Sequence, residues 1–153
     1  MELVINEWLP EYFKPNASND EKQKLERFLN RFIERNDKIF VRRPSEFYRK
    51  IHRYKKNYQN NLKVNEQLGK FINLILINSD RCFIIDDDEF ELSEVIINKL
   101  NESGNYNSDT YLFEAASVTE EKLIITTDER LKIHMENNGT FNVQLLDEFL
   151  TYY

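Results

Sequence analysis

The chain has 153 residues and a formal net charge of −6, with 41% hydrophobic and 31% charged residues. That size suits one domain with a real core, and the composition excludes a disordered chain or a membrane protein. Only three Gly and three Pro occur, which favours a helix-rich fold with short connections.

Leu3-Val4-Ile5 reads as a short buried strand ending at Asn6 and Glu7. Glu2, Asn6, Glu7 and Glu11 interrupt any signal-peptide core, so a cytoplasmic protein is expected. Trp8, Leu9, Tyr12 and Phe13 follow at helical spacing, with Pro10 shortening the helix. They serve the core or, less simply, a homodimer surface. Ser18 and Glu21 have the spacing of a capping box. Behind them Leu25, Phe28, Leu29, Phe32 and Ile33 form the stripe of an amphipathic helix.

Ile39-Phe40-Val41 is a second strand. Pro44 suits the first turn of the next helix, along which Phe47, Ile51, Tyr54 and Tyr58 share a face. Leu68, Phe71, Ile72, Ile75 and Leu76 give another helix, and residues 82–85 a third strand. The one cysteine, Cys82, reads as a small buried residue in a reducing compartment. Asp86, Asp87 and Asp88 have no ligand spacing and read as a solvated turn.

Leu92, Val95, Ile96 and Leu100 are spaced for a helix, and residues 101–107 read as a polar loop holding Gly104. Ser108 is the expected N-cap of a helix carrying Asp109, Leu112, Ala115 and Ala116. Residues 123–126 form a fourth strand of the kind buried on both faces of a parallel sheet. Residues 141–143 give a fifth strand and 145–153 a closing helix. No apolar run approaches the length of a membrane span. Strands separated by helices predict an α/β three-layer sandwich with a short, mainly parallel central sheet, in one domain over 1–153.

The charge is unevenly spread. Residues 42–63 hold eight Lys and Arg against Glu46 alone, whereas 80–102 hold eight Asp and Glu against Arg81 and Lys99. The basic segment is a phosphate-binding face, the solvated side of a helix, or a partner for the acidic segment. Arg49, Lys50, Arg53 and Lys56 lie largely off the apolar helix face and point to solvent or a ligand. Tyr48, Tyr54 and Tyr58 pack, or stack bases, along the same helix. His52 and His134 are isolated, and no Gly-rich phosphate loop occurs, which argues against a nucleotide-hydrolysing enzyme.

Asn6 and Glu7 follow the first strand, Glu46 and Asp109 open helices, and Asp128 follows the fourth strand. Asp128 is either a group at the mouth of the sheet or the N-cap of the next helix. Carboxylates that converge there repel, and Mg²⁺ or Mn²⁺ is the usual remedy. Such a cation activates water for phosphodiester cleavage, and a basic helix holds the nucleic-acid backbone.

In this order of elements, with SDTYLFEAA and IITTDERL in the last third, the chain resembles PIN domains. In that family an Asp ends the first strand, a Glu lies on a helix after the second, and an Asp opens a helix rich in small residues. A Thr/Ser-x-Asp then follows the next strand. Asp109, the Ala115-Ala116 pair and Thr126-Thr127-Asp128 match this pattern, and Glu46 matches by position.

The resemblance implies a metal-dependent endoribonuclease. Asp109, Asp128 and Glu46 would hold Mg²⁺ or Mn²⁺, Asn6 or Glu7 would complete the site, and Arg49, Lys50, Arg53 and Lys56 would hold RNA. Many small PIN proteins are toxins covered by an antitoxin, which makes an antitoxin a further expected partner.

One departure matters. Asn6 stands where the family has Asp, and it offers a metal a carbonyl oxygen but no charge. Glu7 can replace it only if the strand has already ended, because adjacent strand residues face opposite sides. A PIN-like domain that binds RNA or a protein partner without cutting is therefore the alternative. Glu114, about 140° round the helix from Asp109, is expected outside the metal shell.

Overall fold

Leu3 and Ile5 of strand β1 (Glu2–Ile5) enter one apolar core while Val4 enters another. The same split recurs in β2 (Lys38–Arg42), with Ile39 and Val41 opposed to Phe40. It recurs again in β4 (Leu123–Thr126), with Leu123 and Ile125 opposed to Ile124. Apolar side chains on both faces demand cover on both, and this is what a parallel sheet between helical layers provides. The computed structural model describes the chain except Asp87, Asp88, Glu89, Glu91, Ser103, Asn105 and the side chains of Tyr106 and Asn107. Two of the three aspartates read as a solvated turn, Asp87 and Asp88, thus lie outside the described residues.

With β3 (Cys82–Ile85) and β5 (Asn142–Leu145), the described strands form one sheet in the order β3-β2-β1-β4-β5, every neighbouring pair parallel. Helices α1 (Trp8–Tyr12), α2 (Asn19–Arg35), α3 (Glu46–Asn57) and α4 (Leu62–Phe71) cover one face, joined there by α8 (Leu146–Tyr152). Helices α5 (Glu94–Glu102), α6 (Tyr106–Ser117) and α7 (Glu129–His134) cover the other. This is the three-layer α/β sandwich the alternation of elements predicts. Trp8, Leu9 and Phe13 are buried in the first core, so the core reading of residues 8–13 holds. Cys82 is buried too, and its thiol is pushed up to about 12 by burial.

The capping box of α2 is present: Ser18 Oγ accepts the Glu21 N–H at 3.2 Å, and Glu21 Oε2 accepts the Ser18 N–H at 2.6 Å. Asn36, in the left-handed region at φ 61°, ends that helix.

Three boundaries differ from expectation. Pro44 lies outside α3, whose N-cap is Ser45, with Ser45 Oγ accepting the Tyr48 N–H at 3.1 Å. A hydroxyl that satisfies an otherwise orphan N–H sets the helix start more firmly than a preorganised φ. Among residues 101–107, Asn101 and Glu102 close α5 while Tyr106 and Asn107 open α6, so Ser108 lies inside the helix rather than capping it. Finally, α4 runs on into a π-helical turn (Ile72–Leu76), closed by the Ile77 N–H donating to Ile72 O at 3.0 Å. No helix among the described residues is long and apolar enough to cross a membrane.

Candidate functional site at the switch point of the sheet

From β1 the chain steps to β2 and β3 on one side, then returns to place β4 and β5 on the other. The strand order therefore reverses between β1 and β4, and doubly wound sheets bind ligands outside the carboxyl ends at such a point. Asn6 and Glu7 leave β1 there, and Thr126 to Asp128 end β4. Backbone pairing fixes their register, with Ile5 opposite Ile125.

Asn6 is 7% exposed, and its side chain is committed on both sides. Its Nδ2 donates to Thr126 Oγ1 at 2.6 Å, and its Oδ1 accepts the Trp8 N–H at 3.2 Å. Thr126 Oγ1 also accepts the Asp128 N–H at 3.0 Å, so one hydroxyl ties the two strand ends together. Asp128 caps α7: its Oδ1 accepts the N–H groups of Arg130 at 2.9 Å and Leu131 at 3.1 Å. Asp128 is thus the N-cap of α7, through one of its two oxygens.

Asp109, in the first turn of α6, is 8% exposed. Burial, then the charges of Glu7 and Asp128, push its carboxyl up to about 6, against a weaker opposing hydrogen bond with Ser108. The three carboxylates thus converge closely enough to feel one another.

Glu7 lies beyond the end of β1 and opens α1, which meets the condition on its use. Its Oε1 accepts the Tyr111 hydroxyl at 2.9 Å. Burial and the Glu7 charge hold the Tyr111 phenol far above its ordinary range, with smaller contributions from Asp109 and Glu46. Tyr111 therefore stays a hydrogen-bond donor. Nothing local in the sequence marks Tyr111, since its hydroxyl reaches a carboxylate 104 positions away.

Glu46 also belongs to this neighbourhood, but two arginines hold its carboxylate. Arg49 Nη2 lies 3.2 Å from one oxygen and Arg53 Nη2 3.2 Å from the other. Glu114 pairs with Arg42 at 3.2 Å, and the Arg42 guanidinium lies 4.8 Å from the Phe90 ring centroid. Among the described residues, no three Asp, Glu, His or Cys are grouped closely enough to hold a metal ion.

The basic residues are likewise partly engaged. Lys50 reaches Glu11 at 2.8 Å, and Glu11 also takes Lys14 and the Tyr54 hydroxyl. Burial opposes ionisation of Glu11, yet the hydrogen bonds from Lys14, Lys50 and Tyr54 prevail and hold its carboxyl down at about 2. Arg43 pairs with Asp86, joining the basic and acidic segments as one of the three readings anticipated. Lys56 is exposed on α3, as are Arg49 and Arg53. Tyr54 is buried, whereas Tyr48 lies 4.6 Å from His52 with the rings tilted and stays partly open.

Fold and site together define a doubly wound α/β domain of Rossmann-like order with an acidic crevice at its switch point. That architecture agrees with the PIN resemblance and is shared with other doubly wound families. No family model and no curated protein matches the chain.

Proposed function

We propose that the chain is a PIN-like domain that binds RNA without cleaving it. The observation that carries this is the engagement of the crevice residues. The neutral Asn6 amide is held by Thr126 and the Trp8 N–H, one Asp128 oxygen caps α7, and Glu7 receives Tyr111. A hard cation needs several charged oxygens directed at one point, and among the described residues no three acidic groups are gathered closely enough to supply them. The exposed cations of α3 then serve as a backbone-binding face. Their surface ion pairs with Glu46 are weak and can be exchanged for phosphates.

A metal-dependent endoribonuclease using Mg²⁺ or Mn²⁺ is the second reading, and Asp109 favours it. A carboxyl raised by burial and then by two neighbouring charges would be relieved by a cation, with Asp109, Asp128 and Glu7 as ligands, Asn6 supplying its carbonyl, and Glu46 freed from its arginines. The cation would activate the attacking water. The toxin role and its antitoxin partner belong to this second reading.

The RNA-binding face is tested with the double variant Arg49→Glu, Arg53→Glu against a single-stranded RNA by fluorescence anisotropy over a range of salt. Affinity is expected to fall at least about tenfold, and the slope of log K against log salt to flatten by about 1.4, the value for two lost phosphate contacts. Unchanged affinity and slope would remove RNA from this face.

A further inference from the structure

Away from the crevice, α2 and the α4–π-turn segment leave a groove of about 620 Å³ between them. Its floor is apolar: Leu25, Val64 and Phe71 are buried beneath it, while Ile33 remains 48% and Leu74 58% exposed at its sides. Leu74 lies within the π turn but off its buried face, while Ile75 and Leu76 stay in the core. Single exposed apolar residues are ordinary, but two flanking one groove mark a contact surface.

The charge of the groove departs from that of the chain. Lys14, Lys22, Lys63 and Lys70 line it against Glu26 alone, in a protein of net charge −6. Lys14 and Lys70 have carboxylate partners in Glu11 and Glu66; among the described residues Lys22 and Lys63 have none. An apolar floor between cationic rims is complementary to an amphipathic segment whose flanks are acidic. The α2 wall runs from Lys22 to Ile33, about 16 Å or three helical turns. A helix laid between two helices satisfies its own backbone, which an extended chain in this groove would not.

We infer that this groove is the docking site of an acidic amphipathic helix from a partner protein, with apolar residues at i, i+3, i+4 and i+7. The inference is independent of what α3 or the crevice does.

The probe is a fluorescein-labelled helical peptide of about 15 residues, with Leu at those positions and Glu on both flanks, titrated into the full chain. A Lys-flanked peptide of the same pattern is the control. Binding of the acidic peptide is expected to be at least tenfold tighter than that of the basic one. It is expected to fall at least tenfold in Leu74→Glu, an exposed position where folding tolerates the change. Lys22→Glu with Lys63→Glu is expected to shift the preference toward the basic peptide. Equal binding of both peptides, or binding by neither, would overturn the inference. So would a concentration-dependent dimer of the wild type that Leu74→Glu abolishes, since the groove would then belong to a second copy.

Discussion

Phe28→Ala is expected to lower unfolding stability by about 4 kcal/mol, the cost of a deleted ring and the cavity it leaves. Phe28 is 1% exposed and sits where three helices meet. Its ring lies 5.4 Å from Trp8 of α1, 5.9 Å from Phe32 of α2, 6.4 Å from Phe149 of α8 and 5.6 Å from Tyr153. Trp8 in turn donates its indole N–H to Ile125 O at 3.1 Å, so the cluster holds α1 over the end of β4. The loss therefore reaches the crevice as well as the core. Guanidinium denaturation should show a lower midpoint with little change in slope. Ile33→Ala on the same helix, nearly half exposed, should cost no more than about 0.5 kcal/mol. A loss below about 1 kcal/mol for Phe28→Ala would contradict this packing.

Asp109→Asn is expected to act in the opposite direction near neutral pH. The Asp109 carboxyl is raised from 3.8 to about 6, by burial first and then by Glu7 and Asp128, so the folded chain holds its proton more tightly than the unfolded chain does. That contribution to stability is complete below about pH 4 and is lost as pH rises through 6. Asparagine keeps the shape and never ionises. At about 1.4 kcal/mol per pH unit, discounted for solvent screening, the variant gains about 2 kcal/mol at pH 7 and almost nothing at pH 4. Denaturation midpoints of both proteins from pH 4 to 7 check it; parallel curves would show that Asp109 ionises at no cost.

Much of the fold was legible because the signals that create it are local. Apolar triplets at 39–41 and 123–125 bounded by polar residues read as short strands, and the stripe from Leu25 to Ile33 as a helix. The π turn was hidden, since Leu68, Phe71, Ile72, Ile75 and Leu76 fit an ordinary helix. Leu74 and Ile77, apolar but left over from the stripe, were the only trace of it. Residues 101–107 read as a loop because exposed helix ends are polar too, and Gly104 at φ 73° supplies only a short break.

At the site, Asn6, Glu7, Asp109 and Asp128 were legible because a parallel sheet gathers strand ends and helix starts in one place. Their partners were not. Thr126 is visible as part of a motif, but its double acceptance from Asn6 and Asp128 depends on the register of β1 against β4. Tyr111 and Glu11 act through contacts 104 and 43 positions away, with Glu7 and Tyr54 respectively. The arginines on Glu46 lie one and two turns along α3, a spacing visible in the sequence but read there as a substrate face.

On the proposed reading the wild-type crevice binds RNA and does not cut it. The most direct measurement incubates a mixed single-stranded and structured RNA pool with Mn²⁺ and the wild type, Asn6→Asp and Asp109→Asn in parallel. The wild type should leave the RNA intact at concentrations where it binds, with its trace matching that of Asp109→Asn. Chelator-sensitive cleavage by the wild type that disappears in Asp109→Asn would contradict the account and establish the metal-dependent nuclease. Cleavage by Asn6→Asp alone would show that a single missing charge separates this crevice from catalysis.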